Sequence, residues 1–60
     1  NLFTLTIIFE GPYIPHILKF KTFREIDLYL ESVVKTCGTQ QLLWNTTIIK
    51  DIQIRETLIL

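Results

Sequence analysis

The spacing of apolar residues changes twice along this chain of 60 residues, and the change limits the fold more than any other feature. Apolar residues occur at every second position over Leu2–Phe9 and again over His16–Lys21, which is typical of β-strands. Between these runs, Gly11 and Pro12 favour a turn, because glycine allows unusual backbone angles and proline lacks a backbone donor. The two runs therefore predict an antiparallel hairpin with a loop of about six residues.

A helical spacing begins after Thr22. The apolar residues that follow are three or four positions apart and form one stripe on a helix, namely Phe23, Ile26, Leu30, Val33 and Cys37. Thr22 and Glu25 match a capping box, in which the threonine oxygen accepts a bond from an early backbone N–H. Gly38 follows the stripe, where a left-handed residue commonly ends a helix. The pattern predicts a helix over residues 23–36.

The two-residue spacing returns in the last third of the chain. Gln41–Trp44 is short and apolar, and a longer alternating run covers Ile48–Leu60. Between them, Asn45–Thr47 matches the N-glycosylation triplet, but we interpret it as a tight turn, because asparagine tolerates positive φ. A turn at Lys50 and Asp51, after a longer third strand, is the alternative.

The order strand, strand, helix, strand, strand predicts a single α+β domain over residues 1–60, with one helix on a four-stranded, mainly antiparallel sheet. This ββαββ order and the chain length resemble the smallest β-grasp domains, such as the immunoglobulin-binding domains of bacterial surface proteins. The resemblance implies that the first and last strands lie side by side and parallel at the sheet centre. It implies no function. A meander of two hairpins is the alternative topology.

Composition disfavours several classes of protein. Six basic and six acidic residues balance, whereas dedicated nucleic-acid binders carry a basic excess. The longest apolar runs are three residues, far below the roughly 20 that span a membrane, so we expect neither membrane insertion nor a signal peptide. One cysteine cannot close an internal disulfide, and with one histidine it is too little for a zinc site. We therefore expect no cofactor, no metal and a cytoplasmic location.

The residues that could carry catalysis are scattered along the sequence. His16 has no neighbouring cysteine or carboxylate, and Cys37 falls on the apolar stripe of the helix. Glu56 interrupts the apolar side of the last strand, and we expect it at a sheet margin, where an inward charge discourages unwanted strand pairing. No phosphate-binding loop or nucleophile elbow is present. The sequence therefore predicts a protein that is not an enzyme.

One helix covers only one face of a sheet, and the sequence supplies apolar residues for the other face. That second face would be partly polar, with Thr4, Thr6, Lys19, Lys21, Gln53 and Arg55. It would also carry Ile8, Ile17, Ile59 and either Leu42 or Leu43. Contiguous apolar patches mark interaction sites, and a chain this short has a marginal core of its own.

We therefore predict a small protein–protein interaction module that self-associates, most simply as a homodimer, or that binds another protein. Contact would be made through an apolar sheet face or an edge strand. The candidate interface residues are Ile8, Ile17, Leu43, Trp44 and Ile59, with Trp44 as an aromatic anchor. The alternative is a single-stranded nucleic-acid binder that uses a basic and aromatic surface. Its residues would be Lys19, Lys21, Arg24 and Lys35, with Phe20, Phe23 and Trp44 as stacking partners.

Overall fold

The computed structural model describes residues 2–38 and 40–58 as one helix and five strands. In chain order these are β1 (Leu2–Phe9), β2 (His16–Phe20), α1 (Phe23–Val33), β3 (Val34–Thr36), β4 (Leu42–Trp44) and β5 (Thr47–Thr57). All strand pairs are antiparallel, and the strand order across the sheet is β2-β1-β5-β4-β3. The predicted α+β class, with one helix on an antiparallel sheet, is confirmed. The predicted count of four strands is wrong, because the sheet has five.

The additional strand is β3, which occupies residues that the apolar spacing assigned to the end of the helix. The helix ends at Val33, and Val34 is already extended, although its N–H still donates to the carbonyl of Leu30. Two consecutive β-branched valines favour extended backbone over a further helical turn. Gly38, expected to end the helix, lies instead in the turn between β3 and β4.

The additional strand also reverses the direction of the last strand. The strands β1 and β5 do lie side by side, with Leu2 opposite Thr57 and Leu5 opposite Ile54, but they run antiparallel. Inserting β3 after the helix adds one chain reversal before β5. The parallel pairing implied by the β-grasp resemblance is therefore wrong for this chain.

Local signals at two turns and one helix cap are confirmed. The first hairpin has its loop at residues 10–15, with Gly11 at φ 92°. The side-chain oxygen of Thr22 accepts the N–H of Glu25 at 3.3 Å, which caps α1. A tight turn begins at Asn45, whose φ is 61°, between paired residues of β4 and β5. Short-range signals predicted these features, although the first loop also bonds to β5, where the N–H of Glu10 donates to the carbonyl of Ile48 at 2.9 Å.

The alternative turn at Lys50 and Asp51 is not formed, because both residues lie inside β5. The register against β1 shifts at this point, from Asp51 opposite Ile8 to Ile49 opposite Phe9. This irregularity is a β-bulge, which inserts an extra residue into one strand and bends it. The bulge places Ile49 and Ile52 on the same side of the sheet, although their sequence positions differ by an odd number.

The core lies between α1 and one face of the sheet. Its fully or nearly buried members are Leu5, Ile7, Ile26 and Ile49. Aromatic rings extend it, since Tyr29 of the helix lies 5.4 Å from Phe20 and 5.7 Å from Trp44 between ring centroids. Tyr29 is outside the predicted stripe, so the helix is rotated toward it. Phe23, which begins that stripe, touches Phe3 but remains 53% exposed.

Candidate protein-interaction site

The face of the sheet opposite α1, here called the open face, is not covered by the helix. Strand alternation and register assign to it Thr4, Thr6 and Ile8 of β1, Ile17 and Lys19 of β2, Lys35 of β3, Leu43 of β4, and Ile48, Asp51, Gln53, Arg55 and Thr57 of β5. The assignment is anchored by Leu5, Ile7 and Ile49, whose buried side chains occupy the opposite face. The open face is therefore part apolar and part polar.

The apolar part is a diagonal band formed by Ile17, Ile8, Ile48 and Leu43. Ile17 lies opposite Thr6 and is thus a diagonal neighbour of Ile8, while Leu43 and Ile48 are directly opposite each other. Ile17 is 61% exposed and Ile48 is 39% exposed. The band crosses β2, β1, β5 and β4, so it is contiguous across four strands of the sheet.

The polar part is a groove of about 580 Å³ over β2, β1 and β5. Its lining residues are Thr4, Thr6, Lys19, Gln53, Ile54, Arg55 and Thr57. Within it, Thr4 lies between Lys19 and Arg55 on the two neighbouring strands. The groove thus presents hydroxyl groups, an amide and two cations beside the apolar band.

The structure brings together three of the five predicted interface residues. Ile8, Ile17 and Leu43 share the open face. Trp44 lies on the helix side, where its ring centroid is 6.3 Å from Phe9 and 5.2 Å from His16. It belongs to the core packing and does not anchor an open-face contact. The fifth candidate, Ile59, lies outside the described residues.

The residues of the nucleic-acid alternative do not share one surface. Lys19 and Lys35 are on the open face, but on β2 and β3, the two outermost strands of the sheet. Lys21 precedes the helix and Arg24 lies in its first turn. Two of the three aromatic residues point into the helix side, since Phe20 packs on Tyr29 and Trp44 packs on Phe9. The geometry therefore does not form a basic, aromatic platform from these residues.

Sequence reasoning missed an exposed edge on β5. This strand is third of five in the sheet, yet β4 pairs with it only at Thr47 and Ile48. Ile54 is consequently 40% exposed, whereas Leu5, directly opposite on β1, is fully buried. The sequence did contain a signal for this exposed edge, namely the unequal length of the last two strand-like runs, Gln41–Trp44 and Ile48–Leu60. A short strand cannot cover the whole edge of a long one.

The edge of β5 that faces away from β1 carries its own polar contacts. The backbone N–H of Ile52 donates to one carboxylate oxygen of Asp51 at 2.9 Å. The side-chain amide of Gln53 donates to the other oxygen at 3.2 Å. A single carboxylate therefore satisfies a backbone donor and a side-chain donor on consecutive residues of this strand.

A second exposed feature is the loop between β1 and β2. Ile14 is 87% exposed and Tyr13 is 59% exposed, although Tyr13 touches the ring of Phe9. Pro12 and Pro15 flank this pair and restrict the backbone, so the loop does not fold Ile14 onto the sheet. This apolar tip lies next to the start of β2, three residues before Ile17.

Metal ligands do not converge in residues 2–38 and 40–58, where no group of three or more His, Cys, Asp and Glu side chains could hold an ion. In that same part of the chain, no helix has the length and apolar character needed to cross a membrane. No family model, curated protein or solved structure matches this sequence. A function for the chain therefore has to come from its own geometry.

Proposed function

We propose that this chain is a non-enzymatic protein–protein interaction module that self-associates through the parts of its sheet that the helix leaves uncovered. The observation that carries the proposal is the contiguous apolar band of Ile17, Ile8, Ile48 and Leu43 on the open face. Water-exposed apolar surface of this kind lowers the free energy when another protein surface covers it.

The size of the core supports association. Among the described residues only Leu5, Ile7, Ile26 and Ile49 form the buried core, and the eleven-residue helix contributes a single one of them. A domain of about 60 residues buries a small share of its surface and is marginally stable by itself. A partner that binds only the folded chain shifts the folding equilibrium toward the folded state. A second copy of the chain would stabilise this fold in that way.

The chemistry of the open face also favours contact over catalysis. The groove residues offer hydroxyl, amide and cationic groups, while His16 lies on the other side of the sheet against Trp44. A general acid or base must come within hydrogen-bond reach of the atom it serves. The imidazole is therefore separated from the groove by the thickness of the sheet.

The test is the mass of the 60-residue chain in solution, measured by sedimentation equilibrium over a range of micromolar concentrations. We expect the mass to rise from 7.1 kDa toward about twice that value, and the melting temperature to rise with concentration. A constant mass of one chain, together with a melting temperature that does not depend on concentration, would contradict self-association.

Two surface variants locate the contact. Ile17→Lys keeps the fold, because this side chain is already 61% exposed, and it places a charge in the apolar band. Ser32→Lys on the exposed side of α1 is the matched control, since it adds the same charge away from the sheet. Weaker association in the first variant alone assigns the contact to the open face. An unchanged mass in both assigns it to another part of the sheet.

A further inference from the structure

We propose that two copies of this chain pair antiparallel along the outer edge of β5, with Gln53 opposite the partner's Gln53. The outer edge is the side of β5 that faces away from β1, over residues Asp51–Arg55. This inference rests on the self-association proposed above. It places the contact at the edge of β5, so the apolar band of the open face stays exposed in this dimer. The pairing would join two five-stranded sheets into one continuous sheet.

The outer edge of β5 is the most available edge in the described part of the chain. The edge of β3 is only three residues long. The edge of β2 begins beside Pro15 and carries Lys19, and proline and lysine are residues that protect edges from pairing. From Asp51 to Arg55 there is neither proline nor lysine, and no strand among residues 2–38 and 40–58 lies beside this edge.

The backbone groups of Ile52 and Ile54 face outward. The N–H of Ile52 donates to the carboxylate of Asp51, its neighbour on the same strand, at 2.9 Å, from which we infer that it is turned away from β1. In an antiparallel ladder, N–H and C=O groups of alternate residues turn to the same side of the strand. Ile54 therefore turns outward with Ile52, while the groups of Gln53 turn toward β1.

Symmetry restricts the register. A two-fold axis that pairs two such edges antiparallel is perpendicular to the sheet. The helices of both copies therefore lie on the same face of the joined sheet. Residues directly opposite each other must point to the same face, and faces alternate along a strand, so opposite residues differ by an even number of positions. The axis must therefore pass midway between one residue and the same residue of the partner. With the axis at Gln53, Ile52 lies opposite the partner's Ile54, and outward-facing groups meet to exchange both N–H···O bonds.

Electrostatics selects this register from its neighbours. With the axis at Gln53, Asp51 lies opposite the partner's Arg55, and symmetry forms this pair twice. Opposite charges directly across strands stabilise pairing. If the axis moves one position toward the C-terminus, to Ile54, then Arg55 lies opposite the partner's Gln53. No oppositely charged residues then face each other.

The opposite shift is excluded by β4. With the axis at Ile52, the partner's Ile48 would lie opposite Glu56, and the partner's β4 would overlap the end of β5. With the axis at Gln53, the partner's Ile48 lies level with Leu58, one residue beyond the end of the strand. The register at Gln53 therefore pairs the charges, and the partner's β4 reaches only the level of Thr57, the last residue of β5, where the partner's Leu42 lies beside the partner's Ile49.

The pairing also covers apolar surface and gives the N–H of Ile52 a new acceptor. Ile52 is half-buried and Ile54 is 40% exposed on the helix side, and both would pack against the same two residues of the partner. The carboxylate of Asp51 holds the N–H of Ile52 in the single chain. On pairing, the carbonyl of the partner's Ile54 accepts that N–H, and the carboxylate turns to the partner's Arg55.

Charge reversal tests the register. We expect Asp51→Arg to place like charges opposite each other and to weaken the dimer about tenfold, because symmetry applies the change twice. Arg55→Asp should weaken it to a similar degree. The double variant restores both opposite-charge pairs and should recover affinity to within about threefold of the native chain.

Matched controls separate a local pairing from an effect of net charge. Glu31→Arg on α1 changes the net charge as Asp51→Arg does, and Arg24→Asp, also on α1, changes it as Arg55→Asp does. Both should leave the dimer mass unchanged at the same ionic strength. Circular dichroism of every variant verifies that the fold persists.

Cysteine cross-linking tests the position of the axis. In a Cys37→Ser background, Gln53→Cys should form a disulfide-linked dimer, because a non-hydrogen-bonded pair has Cα atoms about 4.5 Å apart, within disulfide reach. Thr57→Cys is the control. In this register the two residues at position 57 are separated by roughly 26 Å along the strands. We therefore expect no disulfide between them, and both thiols stay reduced.

Three results are distinguishable. Loss of the dimer in both single charge variants, recovery in the double variant and cross-linking at position 53 support the proposal. A dimer that resists these changes but dissociates with Ile17→Lys overturns the β5 pairing and leaves self-association in place. A native chain that sediments as one copy at every concentration overturns both.

Discussion

The two central strands of the sheet look alike in sequence and differ in the structure. Both alternate isoleucine or leucine with polar residues, and Leu5 of β1 lies directly opposite Ile54 of β5. Leu5 is fully buried, but Ile54 is 40% exposed. The strand β1 has a neighbour along each edge, whereas in the described part of the chain β5 is flanked on its outer side only near its start. Burial therefore follows the neighbouring strands and the helix, and the alternation pattern alone does not determine it.

The largest expected effect comes from truncating this opposite pair. Leu5→Ala should lower the free energy of unfolding by about 2–5 kcal/mol, since it leaves a cavity in the core. Ile54→Ala should cost clearly less, because water already reaches that side chain. Urea unfolding followed by circular dichroism, at concentrations below the dimer range, measures both. Equal losses would show that the two strands are equally buried in solution.

The sequence predicted the parts of this fold that are determined by local chemistry. The turn at Asn45, the cap at Thr22 and the first hairpin depend on residues within a few positions of each other. The strand β3 was missed because Val33 and Cys37 continue the helical spacing, so only the packing of β4 reveals the extended backbone. Periodicity is ambiguous over such short apolar segments.

The candidate site was predictable to a smaller extent. The assignment of Ile8 and Ile17 to one face followed from alternation along long strands. The face of Trp44 did not, because β4 has three residues and its phase is set by pairing with Thr47. The outer edge of β5 depends on which strand lies beside which, and that order is not encoded in any local pattern.

Leu43 and Trp44 extend the comparison to neighbours in sequence. Trp44→Ala removes contacts with Phe9 and Tyr29 and should cost about 3 kcal/mol, at the lower end for large aromatic truncations because the ring is only partly buried. Leu43→Ala on the open face should cost about 1 kcal/mol in the single chain. Thermal melts at low concentration check the order. A larger loss for Leu43→Ala would place the core on the open face.

The cap of the helix gives a smaller effect. Thr22→Ala removes the acceptor of the N–H of Glu25 and should lower stability by about 1 kcal/mol. Thr22→Ser retains the acceptor and should be nearly neutral. Chemical denaturation of the two variants measures the difference. If both variants lose the same amount, then the methyl group and not the hydrogen bond stabilises the start of α1.

The smallest expected effect on stability is at the outermost strand. Ile17→Thr on β2 should change the unfolding free energy by less than about 0.5 kcal/mol, because the side chain is 61% exposed and threonine also suits a strand. If the β5 edge carries the dimer, this variant also keeps its sedimentation mass, since β2 lies on the far side of β1 from β5. A loss of mass with unchanged stability would instead transfer the contact to the apolar band. The comparison between β1 and β5 would then describe only the single chain and not its assembly.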